Sequence, residues 1–196
     1  MRNLVNRLAG VPLPAVGAAL TLGAALMAAQ YAIIDHVHSA GLPEPEQWIG
    51  RVTVQWYWVL FPFAFIALWA RRRDRERRLG SVGAVMQMAA PLAHIVVTVA
   101  ATVWGGLLGR GDLPDAFMVI EMLTYVFYLG VLVSGVAFLL DKGARWWGAA
   151  VIGGLVLGFV VEYTDAVILA VFGVALIVQG LRRPAPLNVP ETSGAR

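Results

Sequence analysis

The 196-residue chain is 59% hydrophobic and only 14% charged, and its mean hydropathy is +0.73. A soluble domain carries about 25% charged residues, and a soluble fold of this length could not bury so much apolar surface. Disorder is excluded as well, because disordered chains combine low hydrophobicity with high charge. The chain has no cysteine, which excludes disulfides, thiol chemistry, iron–sulfur clusters and cysteine-ligated zinc. We therefore expect an all-α, polytopic membrane protein.

Long apolar runs define the predicted helices. A helix needs about 20 apolar residues to cross about 30 Å of hydrocarbon. Six runs predict a bundle of six transmembrane helices in one domain, residues 1–183, followed by a disordered cytoplasmic tail, residues 184–196. The predicted spans are residues 13–34, 52–70, 81–108, 116–140, 146–161 and 166–181. The first run has 22 residues and exceeds the apolar core of a signal peptide, so we expect it to be retained.

Three polar segments are predicted to connect these spans. Residues 71–78, which hold six arginines, are expected to form a tight cytoplasmic loop beside anionic headgroups. The segment between the first two spans, residues 35–51, is expected to form an acidic outer loop that bears Asp35, His36, His38, Glu44 and Glu46. This loop could hold a divalent metal loosely, but a solvated loop without metal is the favoured interpretation. Residues 162–165 are expected to form an outer turn.

The charge distribution predicts orientation. With the N-terminus inside, the cytoplasmic segments hold thirteen of the fifteen basic residues, and the outer loops hold seven of the twelve acidic ones. Cytoplasmic loops of membrane proteins carry an excess of Lys and Arg. We therefore expect a multi-pass protein of the cytoplasmic (inner) membrane of the cell, with both termini inside.

Ionisable residues within or beside apolar spans are costly and are candidate functional groups. Glu121 is predicted to lie about 9 Å below the outer end of its helix, on one face with Tyr125 and Tyr128. Glu162 and Asp165 flank the turn between the last two short spans. These three carboxyl groups are the candidate catalytic residues, since a carboxyl group in this setting can act as a general acid or bind a cation.

The remaining polar side chains are unevenly placed. Most of those near the spans belong to the outer half of the predicted bundle, which indicates an outward-opening, aromatic-lined cavity. The predicted ligand-binding residues are His94, Thr98, Tyr125, Tyr128, Gln55, Trp56 and Tyr57. Small residues at four-residue spacing, such as Ala150, Gly154 and Gly158, indicate close helix packing, within one chain rather than between subunits.

Three functions remain open. The first is binding and translocation of a small solute, cationic or proton-coupled, through the outward cavity. The second is an acid-catalysed membrane enzyme, a cyclase or isomerase acting on a lipid or isoprenoid, with aromatic rings stabilising a carbocation. The third is a non-catalytic subunit of a membrane complex.

The expected partners follow from these functions. They are membrane lipids, a small-molecule ligand, and either further copies of the chain or another membrane subunit, but no nucleic acid. No cofactor is expected, because the chain has neither a Walker nor a Rossmann glycine pattern and has no lysine within a span for a retinal Schiff base.

Overall fold

The computed structural model describes residues 2–41, 56–110, 114, 117, 119, 122–158, 160, 161 and 163–182, and no strand occurs among them. The helices are α1 (Arg2–Ala9), α2 (Leu13–Ala40), α3 (Tyr57–Ala101, continued by a π-helical segment, Thr102–Leu107), α4 (Leu123–Leu140), α5 (Arg145–Gly158) and α6 (Thr164–Arg182). The all-α prediction is confirmed. The predicted tail, residues 184–196, lies outside the described residues.

Helix α3 folds back on itself. Trp58 and His94 are 36 residues apart, which would separate them by about 54 Å along a straight helix. Their rings are nevertheless stacked, with centroids 4.6 Å apart. The chain must therefore reverse between them, near the arginine-rich segment. We call residues 57–70 α3a and residues 81–101 α3b. These antiparallel halves lie within two of the predicted apolar runs, residues 52–70 and 81–108.

Two segments predicted as loops are helical instead. Residues 71–78 have helical backbone, since Arg and Glu are good helix formers and no glycine or proline occurs among them. The chain reverses within or beside them, so they connect α3a to α3b in the place where a loop between two spans was predicted. Residues 35–38 continue α2, which ends at Ala40. Gly41 follows with a φ of +60°, the left-handed conformation with which glycine commonly terminates a helix. The backbone is therefore helical at residues 35–40 and 71–78, where loops were predicted. The connecting position of residues 71–78 agrees with the prediction, and residues 42–51 of the predicted outer loop lie outside the described residues.

Five helical segments form a closed ring. In order around it, α2 packs on α3a, α3a on α4, α4 on α5, α5 on α6, and α6 on α2. The half-helix α3b lies outside this ring, against α4. The ring encloses a central space, which is the feature of the fold that bears most directly on function.

Glycines allow the neighbouring helices to approach closely. A Cβ on Gly17 of α2 would lie 2.4 Å from the carbonyl oxygen of Gly173 of α6. In α5, Gly154 and Gly158 face Ile168 and Asp165 of α6. The small-residue face predicted for α5 therefore packs within the chain, as small residues do where helix backbones meet in membranes.

The ends of the ring differ in chemistry. At one end, Arg71 donates to the carbonyl of Val11, and Arg72 pairs with Asp141. We call this the arginine end. At the opposite end, Tyr31 bonds Asp165. We call this the tyrosine end.

The outer surface is apolar. Val167, Val171, Val174 and Val178 form an exposed stripe along α6, which would face acyl chains in a bilayer. Among the described residues, three helical stretches are long and apolar enough to cross a membrane, Leu13–Ile33, Arg78–Gly105 and Thr164–Arg182. These features are those of a membrane protein.

Candidate functional site

A cavity of about 360 Å³ occupies the space within the ring. All five segments of the ring contribute to its walls. Eight of its sixteen lining residues are aromatic, against 10% of the whole chain. The aromatic lining residues are Tyr31, Tyr57, Trp58, Phe61, Phe65, Tyr125, Phe127 and Tyr128. Its volume and lining are typical of a site for a small organic ligand, since such pockets measure about 300–1,000 Å³.

Polar groups lie at one end of the cavity only. On each of α2, α3a, α4 and α6 the polar lining residue is at the tyrosine end, and an apolar one lies deeper on the same helix. Along α3a, for example, the lining passes from Tyr57 through Phe61 to Phe65, about 12 Å in all. At the polar end the lining residue Tyr125 is 64% exposed, so this end of the lining reaches the surface formed by the described residues.

Asp165 supplies the carboxylate of the cavity. It belongs to the first turn of α6, where the helix dipole favours a negative charge. The Tyr31 hydroxyl donates to its Oδ2 over 2.9 Å, and the backbone N–H of Ala166 donates to its Oδ1 over 2.7 Å. Gly158 of α5 lies against it without a side chain, which leaves room for the carboxylate at the cavity wall.

A second tyrosine–aspartate bond lies beside the first. The Tyr163 hydroxyl donates to Asp35 Oδ2 over 2.7 Å, and the rings of Tyr31 and Tyr163 meet edge to face at 5.3 Å. Tyr163 has a φ of 64°, an uncommon value for a residue with a side chain, and lies in the turn between α5 and α6. Tyr31 donates from α2 to α6, whereas Tyr163 donates from the turn before α6 to α2. Together the two bonds connect α2 and α6 at the tyrosine end.

A smaller pocket of about 190 Å³ lies on the other side of Trp58, between α3a and α3b. Trp56, His94 and Thr98 line it, together with exposed aliphatic side chains of α3. The buried Nε1 of Trp58 and Nε2 of His94 have no hydrogen-bond partner among the described residues. Trp58 is therefore a wall shared by two separate pockets.

The structure divides the residues predicted as a site. Tyr57, Tyr125, Tyr128 and Asp165 line the central cavity. His94, Thr98 and Trp56 line the smaller pocket. The remaining predicted residues, Glu121, Glu162 and Gln55, lie outside the described residues, as does any contact between Glu121 and its neighbours.

Several lining residues were missed in the sequence. Tyr31 is the most important, because it bonds the cavity's carboxylate. It lies in an alanine-rich span four residues before Asp35. A single tyrosine in such a span could have indicated a side chain that faces the interior of the bundle. Phe61 and Phe65 follow Tyr57 and Trp58 at helical spacing, which placed them on the same face.

The chemistry available in the cavity is limited and specific. It offers one carboxylate, several phenol hydroxyls and many aromatic faces. In the part of the chain that the structure describes, no three His, Cys, Asp or Glu side chains come together as a metal site would require. No basic side chain is among the described lining residues. Such an arrangement can hold an organic molecule, accept a positive charge, or donate a proton from a protonated carboxyl group.

Comparison with known protein families, with curated proteins and with solved structures finds no match to this chain.

Proposed function

We propose that this protein binds a small solute in the central cavity and carries it across the cytoplasmic membrane. In this proposal six spans cross the bilayer, with α3a and α3b as the second and third. Both termini lie in the cytoplasm, and the tyrosine end faces outward. The cavity then receives its solute from outside.

One observation carries the proposal. A cavity of organic-ligand size lies within a ring of membrane helices, has its polar groups at the surface end, and has an apolar floor. Transporters place their substrate sites between helices near the middle of the bilayer. A protein that served only as a packing subunit would have no need for such a space.

The position of the arginines supports the orientation. The arginine end contains Arg71 and Arg72, which lie beside the start of α2 and the end of α4. Lys142 follows the last residue of α4, and Arg182 is the last residue of α6, so both lie toward the same end. Basic residues concentrate on the cytoplasmic side of membrane proteins. The tyrosine end, with Asp35 and Asp165, would then face outward.

Native mass spectrometry tests the binding step. The protein is taken from its own membrane in mild detergent, beside a variant whose cavity is filled, Leu169→Trp. Leu169 lines the cavity, whereas Val171 of the same helix is 64% exposed on the outer surface. We expect a retained small molecule in the wild type and in the control Val171→Trp, and its loss in Leu169→Trp. Proteoliposomes then show whether that molecule crosses a bilayer.

A membrane enzyme acting on an isoprenoid or another lipid is the second candidate. The apolar floor favours it, since Met27, Phe65, Val131 and Leu169 could accommodate a hydrocarbon chain. Asp165 would then act as general acid, with aromatic faces stabilising a carbocation. A retained isoprenoid in native mass spectrometry, converted to product by the pure protein, would favour this function over transport.

A further inference from the structure

The geometry points to an organic cation as the ligand of the central cavity, held by the Asp165 carboxylate and the surrounding aromatic faces. This inference rests on the proposed binding function and names the class of molecule, an ammonium group on an apolar body. Either a metal ion or a neutral lipid as the principal ligand would contradict this inference.

The charge of Asp165 is the first argument. Its described partners are the Tyr31 hydroxyl and the backbone N–H of Ala166, both neutral donors. Its position in the first turn of α6 places the carboxylate at the positive end of the helix dipole. No basic side chain is among the described residues that line the cavity, so no described cation pairs with this carboxylate. A cationic ligand would supply the missing positive charge, and its attraction to the carboxylate strengthens where the ligand displaces water from the cavity.

The aromatic walls are the second argument. Tyrosine and tryptophan rings have negative faces that attract cations, most strongly where water is excluded. Tyr57 and Trp58 are more than nine-tenths buried at the polar end, and Tyr128 contacts Trp58 edge to face at 5.9 Å. These rings line the same cavity as the Asp165 carboxylate. Aromatic rings together with a carboxylate recognise alkylammonium groups, whose charge is spread over methyl or methylene carbons.

The size and ligand set are the third argument. A divalent cation such as Ca²⁺ needs about six to eight oxygen ligands within 2.6 Å, whereas the described lining provides one carboxylate. The volume of about 360 Å³ far exceeds that of a bare ion. The deeper lining residues, among them Phe65 and Leu169, are apolar and suit the hydrocarbon part of an organic cation. Its ammonium group would occupy the polar end.

A matched pair of probes tests the inference. Benzyltrimethylammonium and neopentylbenzene have the same shape, but the second has carbon in place of the charged nitrogen. Each is radiolabelled and bound to the full chain in phosphatidylcholine nanodiscs. The signal obtained with Leu169→Trp, whose cavity is filled, measures how much of each probe partitions into the lipid of the nanodisc. We expect the wild type to bind the ammonium at least about tenfold more tightly than the neutral probe.

Two substitutions locate the charge that is responsible. Asp165→Asn removes the charge but keeps an oxygen that can accept from Tyr31, and should weaken ammonium binding about tenfold with less than a twofold effect on neopentylbenzene. Asp35→Asn is the control, because Asp35 also accepts from a tyrosine but does not line the cavity. It should change neither affinity by more than about twofold. Thermal unfolding of each variant confirms that it is folded.

The failures of the two proposals can be distinguished. Equal binding of both probes, or an unchanged ammonium affinity in Asp165→Asn, overturns the organic-cation inference and leaves the cavity as a binding site. Binding of neither probe above the Leu169→Trp background also overturns the inference, and the proposed function then stands only if the protein retains another molecule. Absence of any retained molecule in native mass spectrometry, together with binding of neither probe, overturns both.

Discussion

Gly158 of α5 faces Asp165 of α6 so closely that a Cβ on Gly158 would lie 2.5 Å from the Cβ of Asp165 and 2.9 Å from its Cγ. Carbon atoms pack favourably at about 3.5–4.0 Å, so this space admits no side chain. Asp165 can therefore hold its carboxylate at this point of the cavity wall only because position 158 has no side chain. Stability and ligand binding should both depend on it.

Replacing Gly158 with alanine should destabilise the protein by about 1–3 kcal/mol, because overpacking forces helices apart. The same change should weaken ligand retention, since Asp165 must move. Gly153→Ala is the matched control on the same helix, because nothing lies within 4 Å of the added Cβ. Alanine there should be neutral or slightly stabilising, as it favours the helix by about 1 kcal/mol.

Thermal unfolding in detergent and native mass spectrometry of the two variants measure these effects. Equal stability and equal ligand retention in Gly158→Ala and Gly153→Ala would show that α5 and α6 are farther apart than the structure places them.

The contact between α2 and α6 leads to a second prediction. A Cβ on Gly173 would lie 2.6 Å from the Gly17 carbonyl oxygen and 2.4 Å from Thr21 Oγ1. The backbone oxygen cannot rotate away, so Gly173→Ala should cost about 2–3 kcal/mol. Val171→Ala, on the exposed side of the same helix, should cost much less. Chemical or thermal unfolding in a fixed detergent measures the difference, and similar losses in both variants would contradict the packing of these two helices.

The helical architecture could be predicted from the sequence because a bilayer restricts the choice. Without water to satisfy backbone groups, spanning segments must be helices or closed barrels. Apolar runs therefore located most helices well, and the start of the first span at Leu13 agrees with α2. Residues 35–40 and 71–78 are helical although their charge and their position between apolar runs predict loops. Charged residues without glycine or proline extend a helix readily.

The cavity was less predictable than the helices. Tyr57, Tyr125, Tyr128 and Asp165 were expected near one end of the bundle, and they line its cavity. Tyr31 was missed because lipid-facing and core-facing surfaces are both apolar in a membrane helix. The sequence periodicity that reveals the inner face of a soluble helix is then weak.

The assignment of His94 shows a further limit. The sequence placed it with the same set of ligand-binding residues as Tyr128. The structure places His94 and Tyr128 in contact with the same indole, that of Trp58, yet they line different pockets. The difference arises because α3b lies outside the ring. The order of helices around a ring depends on packing between segments that are distant in the chain, so the residue pattern of a single helix does not predict it.

The arginine end provides a third prediction. Arg72 pairs with Asp141, donates to the carbonyl oxygen of Gly143 over 2.8 Å, and lies over the ring of Trp147 at 4.8 Å. The two charged side chains are only 15% and 7% exposed. Removing one partner of a buried ion pair costs about 3 kcal/mol, because the other charge loses its compensation.

We therefore expect Arg72→Ala to lower the unfolding temperature by several degrees, while Arg78→Ala, an exposed arginine of the same segment, has little effect. Arg72→Lys should recover only part of the stability, since an ammonium group cannot match the planar fork of the guanidinium. If Arg72→Ala and Arg78→Ala unfold at the same temperature, the connection between α3 and the α4–α5 turn contributes nothing to stability.

Single cysteines test the orientation of the bundle without background, since the natural chain has none. Ser39 and Val160 are exposed at or beyond helix ends on the tyrosine side, whereas Arg7, Lys142 and Arg182 are exposed toward the arginine end. On intact cells, a membrane-impermeant maleimide should label Ser39→Cys and Val160→Cys. The other three variants should react only after the membrane is permeabilised. The reverse pattern would mean that the cavity opens to the cytoplasm.

The same reagent tests the reversal of α3. Trp56 and Leu108 lie just before α3 and just after its π-helical continuation, and Arg78 lies near its middle; all three are exposed. A helix that folds back at its arginines carries both of its ends to one side of the membrane, because each half is long enough to traverse most of the hydrocarbon. We expect Trp56→Cys and Leu108→Cys to be labelled from outside, and Arg78→Cys only from within. Labelling of Trp56→Cys and Leu108→Cys from opposite sides would show that α3 crosses the membrane once, and the ring around the cavity could not then close as described.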